Sequence, residues 1–273
     1  MYERIPNKEK TSQFSAFALS HMEAMRLLRN FGLLGDKAGG RLEGKERSYR
    51  NIAEHCLVVG MVADTILEKF SEKGYLTAEE RQIGVKAALI HDLTKRQELE
   101  IEHGVEKGSP KTFLDPEHRK EFISQVLAKH RVSEKDIDDF SLTRLTGDGL
   151  LELDEKHIVI TTSPRELIRW IILLSDYMVA HTSIVSPQER MDEAQERGEY
   201  DELQRWWFEK LYGKQALTEA ENKNDVGRIL NTRILFFLQQ VEDQCRDALE
   251  IDAQQPFSDY IKQEIRKRYT FQS

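Results

Sequence analysis

The sequence predicts an all-α protein, because its long segments show helical periodicity, few prolines and few alternating runs. Six prolines in 273 residues leave long stretches in which helices can continue without interruption. Apolar side chains recur at spacings of three and four, which is the pattern of amphipathic helices. A hydrophobic share of 39% and a charged share of 32% indicate a globular chain with a core and a hydrated surface.

The first third of the chain predicts three helices, over residues 12–30, 51–70 and 78–93. Thr77 is the predicted N-cap of the third helix. Glu80 occupies the third helical position, so the two side chains are expected to form a capping box. The stretch 31–48 is rich in glycine and charge and is expected to be a loop.

The middle of the chain is less regular. Residues 95–116 are polar and hold several glycines and prolines, which predicts a long loop or a broken helix. Ser163 and Pro164 begin a strongly apolar helix that is expected to continue to His181. Further helices are expected over residues 117–130 and 134–142, and residues 157–161 are compatible with a short strand.

The last third of the chain carries a charge run and an aromatic cluster. Residues 190–201 are typical of a solvated helix face. We interpret Trp206, Trp207 and Phe208 as core filler rather than as a surface that stacks on bases. Long amphipathic helices are expected over residues 224–251 and 257–268.

Charge and cysteine content narrow the class of protein. The formal net charge of −8 argues against a dedicated nucleic-acid surface, although a local pocket can still neutralise a small nucleotide. Cys56 and Cys245 lie in apolar runs without metal-type spacing and are expected to be reduced core thiols. We expect no membrane span and a cytoplasmic location, because no segment approaches about 18 apolar residues.

Three predicted helices each bring a histidine or an aspartate to an apolar face. His91 and Asp92 follow the apolar run 87–90, His55 shares a helix face with valines and an isoleucine, and Asp176 lies on another apolar face. A lone inward histidine is usually a hydrogen-bonded core residue, and a lone inward aspartate is often a cap or half of an ion pair. One divalent cation would compensate all of these groups together.

The order of these residues resembles the HD superfamily of metal-dependent phosphohydrolases. Residues 51–63 resemble the first motif of that family, residues 87–95 resemble its His-Asp-x-x-Lys motif, and residues 172–176 resemble its closing aspartate motif. The similarity covers roughly residues 48–186. It implies an HD-type helical bundle with a metal-binding core over residues 48–186. From the sequence pattern we expect an N-terminal helix and loop (1–47) before this core and a C-terminal helical extension (187–273) packed on it.

The resemblance also implies roles for individual residues. The implied metal ligands are His55, His91, Asp92 and Asp176. Asp92 and Lys95 are the implied catalytic residues. The remaining candidates are Arg47, Arg50 and Arg96 for binding the substrate, and His118 and His130 for a second metal. Each arginine is also compatible with an ordinary solvated position, and each of these two histidines with a role outside metal binding.

The implied activity is metal-dependent hydrolysis of a nucleotide or a similar small phosphate ester or anhydride, with Mn, Co, Ni, Fe, Zn or Mg as the ion. The segment 51–55 is similar to the start of bacterial 5′-deoxynucleotidases. However, those enzymes carry an acidic residue where this chain has Lys95, and the lysine form is nearer to HD enzymes of dinucleoside polyphosphates or cyclic dinucleotides. The alternatives are a non-catalytic nucleotide- or metal-binding regulatory module and oxygen chemistry at a di-iron centre. A homodimer through the C-terminal helices is left open.

Overall fold

The computed structural model describes residues 8–34, 41–42, 45–46, 50–102, 116–144, 163–196 and 201–269. Within these ranges the protein is almost wholly helical, which confirms the predicted all-α class. None of the helices in the described ranges combines the length and apolar character needed to span a membrane.

The helices, in chain order, are α1 (Lys8–Asn30), α2 (Arg50–Glu72), α3 (Ala78–Leu89), α4 (Lys95–Glu102), α5 (Pro116–Lys129), α6 (Glu134–Ser141), α7 (Pro164–Tyr177), α8 (Pro187–Glu196), α9 (Asp201–Tyr212), α10 (Lys214–Asn222), α11 (Val226–Leu249) and α12 (Phe257–Tyr269). A 3₁₀ turn (Leu142–Arg144) follows α6. Two antiparallel hairpins are formed by β1 (Arg41–Leu42) with β2 (Lys45–Glu46), and by β3 (Val179–Ala180) with β4 (Ser183–Ile184).

Helix α2 lies at the centre of the packing and contacts α3, α7, α11 and α12. Its apolar face is fully buried at Val59, Val62 and Ile66, the face on which the sequence places His55. Gly60 allows α3 to approach closely, since a Cβ atom at this position would lie 2.4 Å from Cδ2 of Leu89. Helix α2, which carries the candidate ligand His55, is therefore packed between these neighbouring helices.

The start of α3 follows the prediction, and its end does not. The Thr77 hydroxyl accepts a hydrogen bond from the Glu80 N–H at 3.2 Å, and the Glu80 carboxylate accepts one from the Thr77 N–H at 2.8 Å, which confirms the capping box. The helix ends at Leu89 rather than at residue 93, because Ile90 leaves the helical conformation and residues 91–94 form a turn.

The helix expected to reach His181 also ends early, at Tyr177, because the β3–β4 hairpin follows it. Of residues 95–116, expected to form a long loop or a broken helix, the first eight form α4, and residues 103–115 lie outside the described residues. The expected strand over residues 157–161 lies outside the described residues.

The C-terminal helices bury the aromatic cluster. The relative exposures of Trp207 and Phe208 are 1% and 3%, and Trp206 packs against the core, which confirms their interpretation as core filler. Cys56 and Cys245 are free and buried, as expected. The division into three parts at residues 47 and 186 stays a prediction.

A buried ionic cluster joins α2, α3 and α12. The Asp64 side chain is fully buried and accepts hydrogen bonds from Nε and Nη2 of Arg81 at 3.0 and 2.8 Å. Its other oxygen accepts from Nη2 of Arg268 at 2.7 Å and from the Tyr269 hydroxyl at 2.6 Å. Glu68 pairs with both arginines. Burial and the negative charge of Asp64 raise the pKa of Tyr269.

A second buried cluster joins α3 to α6. The Lys86 ammonium donates hydrogen bonds to Asp136 at 2.6 Å and to Asp139 at 2.8 Å, and all three side chains are at most 7% exposed. Burial alone raises the pKa of Asp136, but hydrogen bonds from Lys86 and Ser133 outweigh it and lower that pKa below its ordinary value. α3 is thus fixed by ionic contacts on two sides.

Candidate metal centre

His55 lies on α2 with its ring held at both nitrogens. Nδ1 is 3.1 Å from the main-chain carbonyl oxygen of His181, and Nε2 is 3.0 Å from Oδ1 of Asp176. A carbonyl oxygen only accepts hydrogen bonds, so Nδ1 must carry the proton and donate. In the neutral ring, Nε2 therefore presents its lone pair towards a carboxylate oxygen.

His91 repeats this arrangement on the turn after α3. Its Nδ1 donates a hydrogen bond to the Ala88 carbonyl oxygen at 2.8 Å. Its Nε2 is buried and has no hydrogen-bond partner among the described residues. This nitrogen is 3.5 Å from Oδ1 of Asp176 and 3.8 Å from Oδ2 of Asp92. A second imidazole thus directs an Nε2 lone pair towards carboxylates.

The two rings converge on one point. The centroids of His55 and His91 are 5.2 Å apart at an interplanar angle of 63°, and the ligand atoms of His55, His91 and Asp92 all lie within 4.8 Å of one another. Lone pairs and carboxylate oxygens repel unless a positive charge lies between them. The His55–His91–Asp92 group could hold a metal ion, and its mixed nitrogen and oxygen donors suit borderline divalent cations.

The electrostatics of these side chains also favour a positive charge at the site. Burial by itself lowers the pKa of His91, but the neighbouring Cys56, Asp92 and Asp176 together raise it well above its ordinary value. Burial by itself raises the pKa of Asp176, but the charge of the neighbouring His91 and the hydrogen bond with His55 bring it well below its ordinary value. A proton on His91 takes the place that a cation would fill.

The site is closed on the histidine side and open on the carboxylate side. The side chains of His55 and His91 are 11% and 7% exposed, whereas those of Asp92 and Asp176 are 32% and 38% exposed. The closed side follows from the sequence, because the run 87–90 before His91 is fully packed in the core. The open side leaves a path for a small molecule to reach the carboxylates.

The candidate catalytic residue Lys95 and the candidate substrate-binding residue Arg96 differ in their position relative to the site. Lys95 begins α4, and its N–H donates to the Asp92 carbonyl oxygen at 3.0 Å, so it is adjacent to the site. The Arg96 guanidinium donates to the carbonyl oxygen of Gly32 at 3.3 Å and to Glu100 at 2.8 Å, which directs it to the end of α1. Arg50 is the first residue of α2, and the structure describes its main chain but not its side chain. Arg47 lies outside the described residues.

The two candidates for a second metal are not part of the described ligand group. His118 is exposed near the start of α5. His130 stacks on Phe31, with ring centroids 4.2 Å apart and an interplanar angle of 21°. A second metal site therefore stays a prediction.

Sequence reasoning missed the groups that orient the two histidines. Both are main-chain carbonyls, of Ala88 and His181, and every residue has one, so residue type does not reveal them. For Ala88 a signal existed, since it lies three residues before His91 at a helix end. For His181 the sequence offers only its closeness to Asp176.

Comparisons of this chain with protein-family models, curated proteins and solved structures give no match. The interpretation of the site therefore rests on its own residues, and the resemblance to the HD superfamily stays a prediction.

Proposed function

We propose that this protein is a metal-dependent phosphohydrolase of the HD type that acts on a nucleotide or a similar small phosphate ester or anhydride. The observation that supports this most is the fixed direction of the two imidazoles. Each Nδ1 is bound to a main-chain carbonyl, so both Nε2 atoms face the same oxygen, Oδ1 of Asp176. A histidine that binds a metal through one ring nitrogen usually donates the N–H of the other to a carboxylate, a main-chain carbonyl or water, which orients the ring.

In this proposal His55, His91, Asp92 and Asp176 hold one divalent cation. A bound divalent cation supplies Lewis acidity, which lowers the pKa of a water molecule from about 15.7 towards about 7. The side chains of this chain then orient the reactants. The partly exposed Asp92 carboxylate accepts a hydrogen bond from the attacking water and holds it on the open side of the site.

The positive charge next to the site favours a phosphate as the substrate. Lys95 is the first residue of α4 and lies three residues after Asp92. We place its ammonium near the phosphoryl oxygens, whose negative charge it offsets during the reaction. The water oxygen forms a new bond to phosphorus, the bond from phosphorus to the leaving oxygen breaks, and the proton lost by the water passes to solvent or to the leaving group.

Arg96 is the second candidate for this role. Its guanidinium is bound to the Gly32 carbonyl oxygen and to Glu100, which directs it to the end of α1. Lys95 is the first candidate because its main chain is bonded to that of Asp92 at the edge of the site.

The test is a hydrolysis assay on protein stripped of metal and reloaded with Mn, Co, Ni, Fe, Zn or Mg in turn. The substrate panel contains nucleoside monophosphates, nucleoside polyphosphates, dinucleoside polyphosphates and cyclic dinucleotides. We expect release of phosphate or nucleotide with at least one metal, and loss of this activity in His91→Ala and Asp92→Asn. The matched control is Asp138→Asn, an exposed aspartate paired with Arg165, which should keep full activity.

Elemental analysis of the same samples separates the alternatives. A metal-loaded protein that stays inactive on the whole panel contradicts the proposed hydrolase. Tight binding of a nucleotide without turnover would then indicate a non-catalytic regulatory module. Two irons per chain with an iron-dependent colour would instead indicate the di-iron alternative.

A further inference from the structure

His181 combines two unusual features at the edge of the metal site. Its main-chain φ is +54°, a left-handed conformation that residues other than glycine adopt rarely. Its carbonyl oxygen is the group that accepts the hydrogen bond from Nδ1 of His55. Strained main-chain conformations of this kind cluster at functional sites.

The hairpin around His181 is anchored, so its carbonyl has a fixed position. His181 and Thr182 form the two-residue turn between β3 and β4. Val179 and Ala180 of β3 are buried, and β3 packs against α2, the helix that carries His55. The hairpin closes with a hydrogen bond of 2.8 Å from the Val185 N–H to the Met178 carbonyl oxygen.

The imidazole of His181 takes no part in this orientation. Its Nε2 lies 2.8 Å from Oε1 of Glu193, and the two side chains are 63% and 33% exposed. An ion pair exposed to this degree stabilises a fold by at most about 1 kcal/mol. The feature of His181 that matters to the site is therefore its main chain.

We propose that His181 is a positioning residue for the metal site, whose left-handed main chain directs its carbonyl to Nδ1 of His55 and so keeps the Nε2 lone pair facing the ion. This inference rests on the metal-binding part of the proposed function and is independent of the substrate. The same short segment would then serve the site twice, since Asp176 supplies a ligand and His181, five residues later, orients another.

The test is a series of substitutions at residue 181 that differ in tolerance of a positive φ. His181→Gly and His181→Asn tolerate it, His181→Ala less, and His181→Val least. We expect zinc affinity to stay within about threefold of the wild type for glycine and asparagine. The affinity should fall for alanine and fall furthest for valine, by about 10- to 100-fold, the range seen when an orienting contact is lost.

A spectroscopic measurement separates positioning from a general effect on folding. In the zinc-loaded wild type, the Nδ1 proton of His55 should be visible by NMR and protected from exchange with water. The signal is assigned by its loss in His55→Gln. It should persist in the glycine and asparagine variants and disappear in the valine variant. If the valine variant does not fold, the alanine variant carries the same comparison.

The outcomes distinguish this inference from the proposed function. Equal loss of affinity in all four variants would mean that the imidazole itself acts, and unchanged affinity in all four would mean that the carbonyl does not matter; either result overturns the inference. Glu193→Gln is the control and should bind zinc like the wild type. If the wild type binds zinc but hydrolyses no substrate, the proposed function fails while the four affinities still test the positioning role; a wild type that binds no metal overturns both.

Discussion

Arg81 donates two hydrogen bonds to a single oxygen of Asp64, from Nε at 3.0 Å and from Nη2 at 2.8 Å, and both side chains are buried. The contact joins α2 to α3. His55 lies on α2 and His91 follows α3, so the pair fixes the two elements that position the histidine ligands. Loss of the Arg81–Asp64 pair should therefore destabilise the fold, and it should weaken the metal site only as a consequence of that destabilisation.

Asp64→Ala should lower the free energy of unfolding by about 3–5 kcal/mol, because it removes the buried carboxylate that binds both Arg81 and Arg268 and leaves only Glu68 to compensate the two guanidinium groups. Urea denaturation measures the change. The control is Glu72→Ala, which removes a half-exposed partner of Lys69 and should cost less than about 1 kcal/mol. Similar losses for the two variants would contradict the role assigned to the Asp64 cluster.

Gly60→Ala should destabilise the protein by about 1–3 kcal/mol, although alanine is the better helix former. The added Cβ would lie 2.4 Å from Cδ2 and 2.7 Å from Cγ of Leu89, in the buried contact between α2 and α3. Thermal unfolding measures the effect. Gly227→Ala is the matched helical control, because its Cβ would meet only the end of the flexible Gln204 side chain at 3.1 Å. We expect Gly227→Ala to be neutral or stabilising, and a stabilising Gly60→Ala would refute the close approach.

Asp136→Asn should remove part of the acid sensitivity of the fold. The pKa of Asp136 is lowered in the folded state, so its contribution is present above the unfolded value of about 3.9 and is lost as the pH falls through the lower folded value. At pH 7 we expect the variant to be less stable by roughly 2 kcal/mol, the scale of a hydrogen bond to a charged group. The gap to the wild type should narrow below pH ~4. Unfolding curves of both proteins across this pH range test the expectation. A difference in the free energy of unfolding that does not change with pH would contradict it.

Metal binding should release a proton at neutral pH. The pKa of His91 is raised well above its ordinary value of about 6.5, so metal-free His91 stabilises the fold below that value and the contribution is lost as the pH rises through the folded value. A cation must displace this proton, and affinity should fall as the pH falls. Titration calorimetry in two buffers with different ionisation enthalpies measures the release. Metal binding at pH 7 without proton release would contradict the raised pKa.

Bound metal should also raise the unfolding temperature. At a free concentration about 100 times the Kd, an ion that binds only the folded state stabilises it by about 2.7 kcal/mol. The shift should be reversed by a chelator and absent in His91→Ala. A chelator-insensitive unfolding temperature in protein that holds the metal would argue against the site described above.

Local sequence patterns predicted much of the helical framework. The capping box at Thr77 and Glu80 was predicted correctly because both partners lie within one helical turn. The sequence also predicted correctly that His55 faces the core, because the apolar residues that share its helix face are spaced three and four positions apart. Such features depend on neighbours along the chain, which a single sequence displays.

The remaining features depend on contacts between distant residues. Asp64 and Lys86 lie on helices where a charged side chain normally faces water, yet Asp64 pairs with Arg268, 204 residues away, and Lys86 pairs with Asp136, 50 residues away. The end of α7 before His181 was missed for a similar reason. The hairpin there is fixed by packing on α2 rather than by a glycine or proline signal.

The cluster around Asp64 also imposes an order on folding during synthesis. Asp64 and Arg81 are synthesised before Arg268, and at about 5–20 residues per second Arg268 follows Asp64 roughly ten to forty seconds later. During that interval α2 and α3 can already pack together. The contacts of Asp64 with Arg268 and Tyr269, and of Glu68 with Arg268, form only after α12 has been synthesised. Docking of α12 is therefore the step that completes charge compensation in the nascent core.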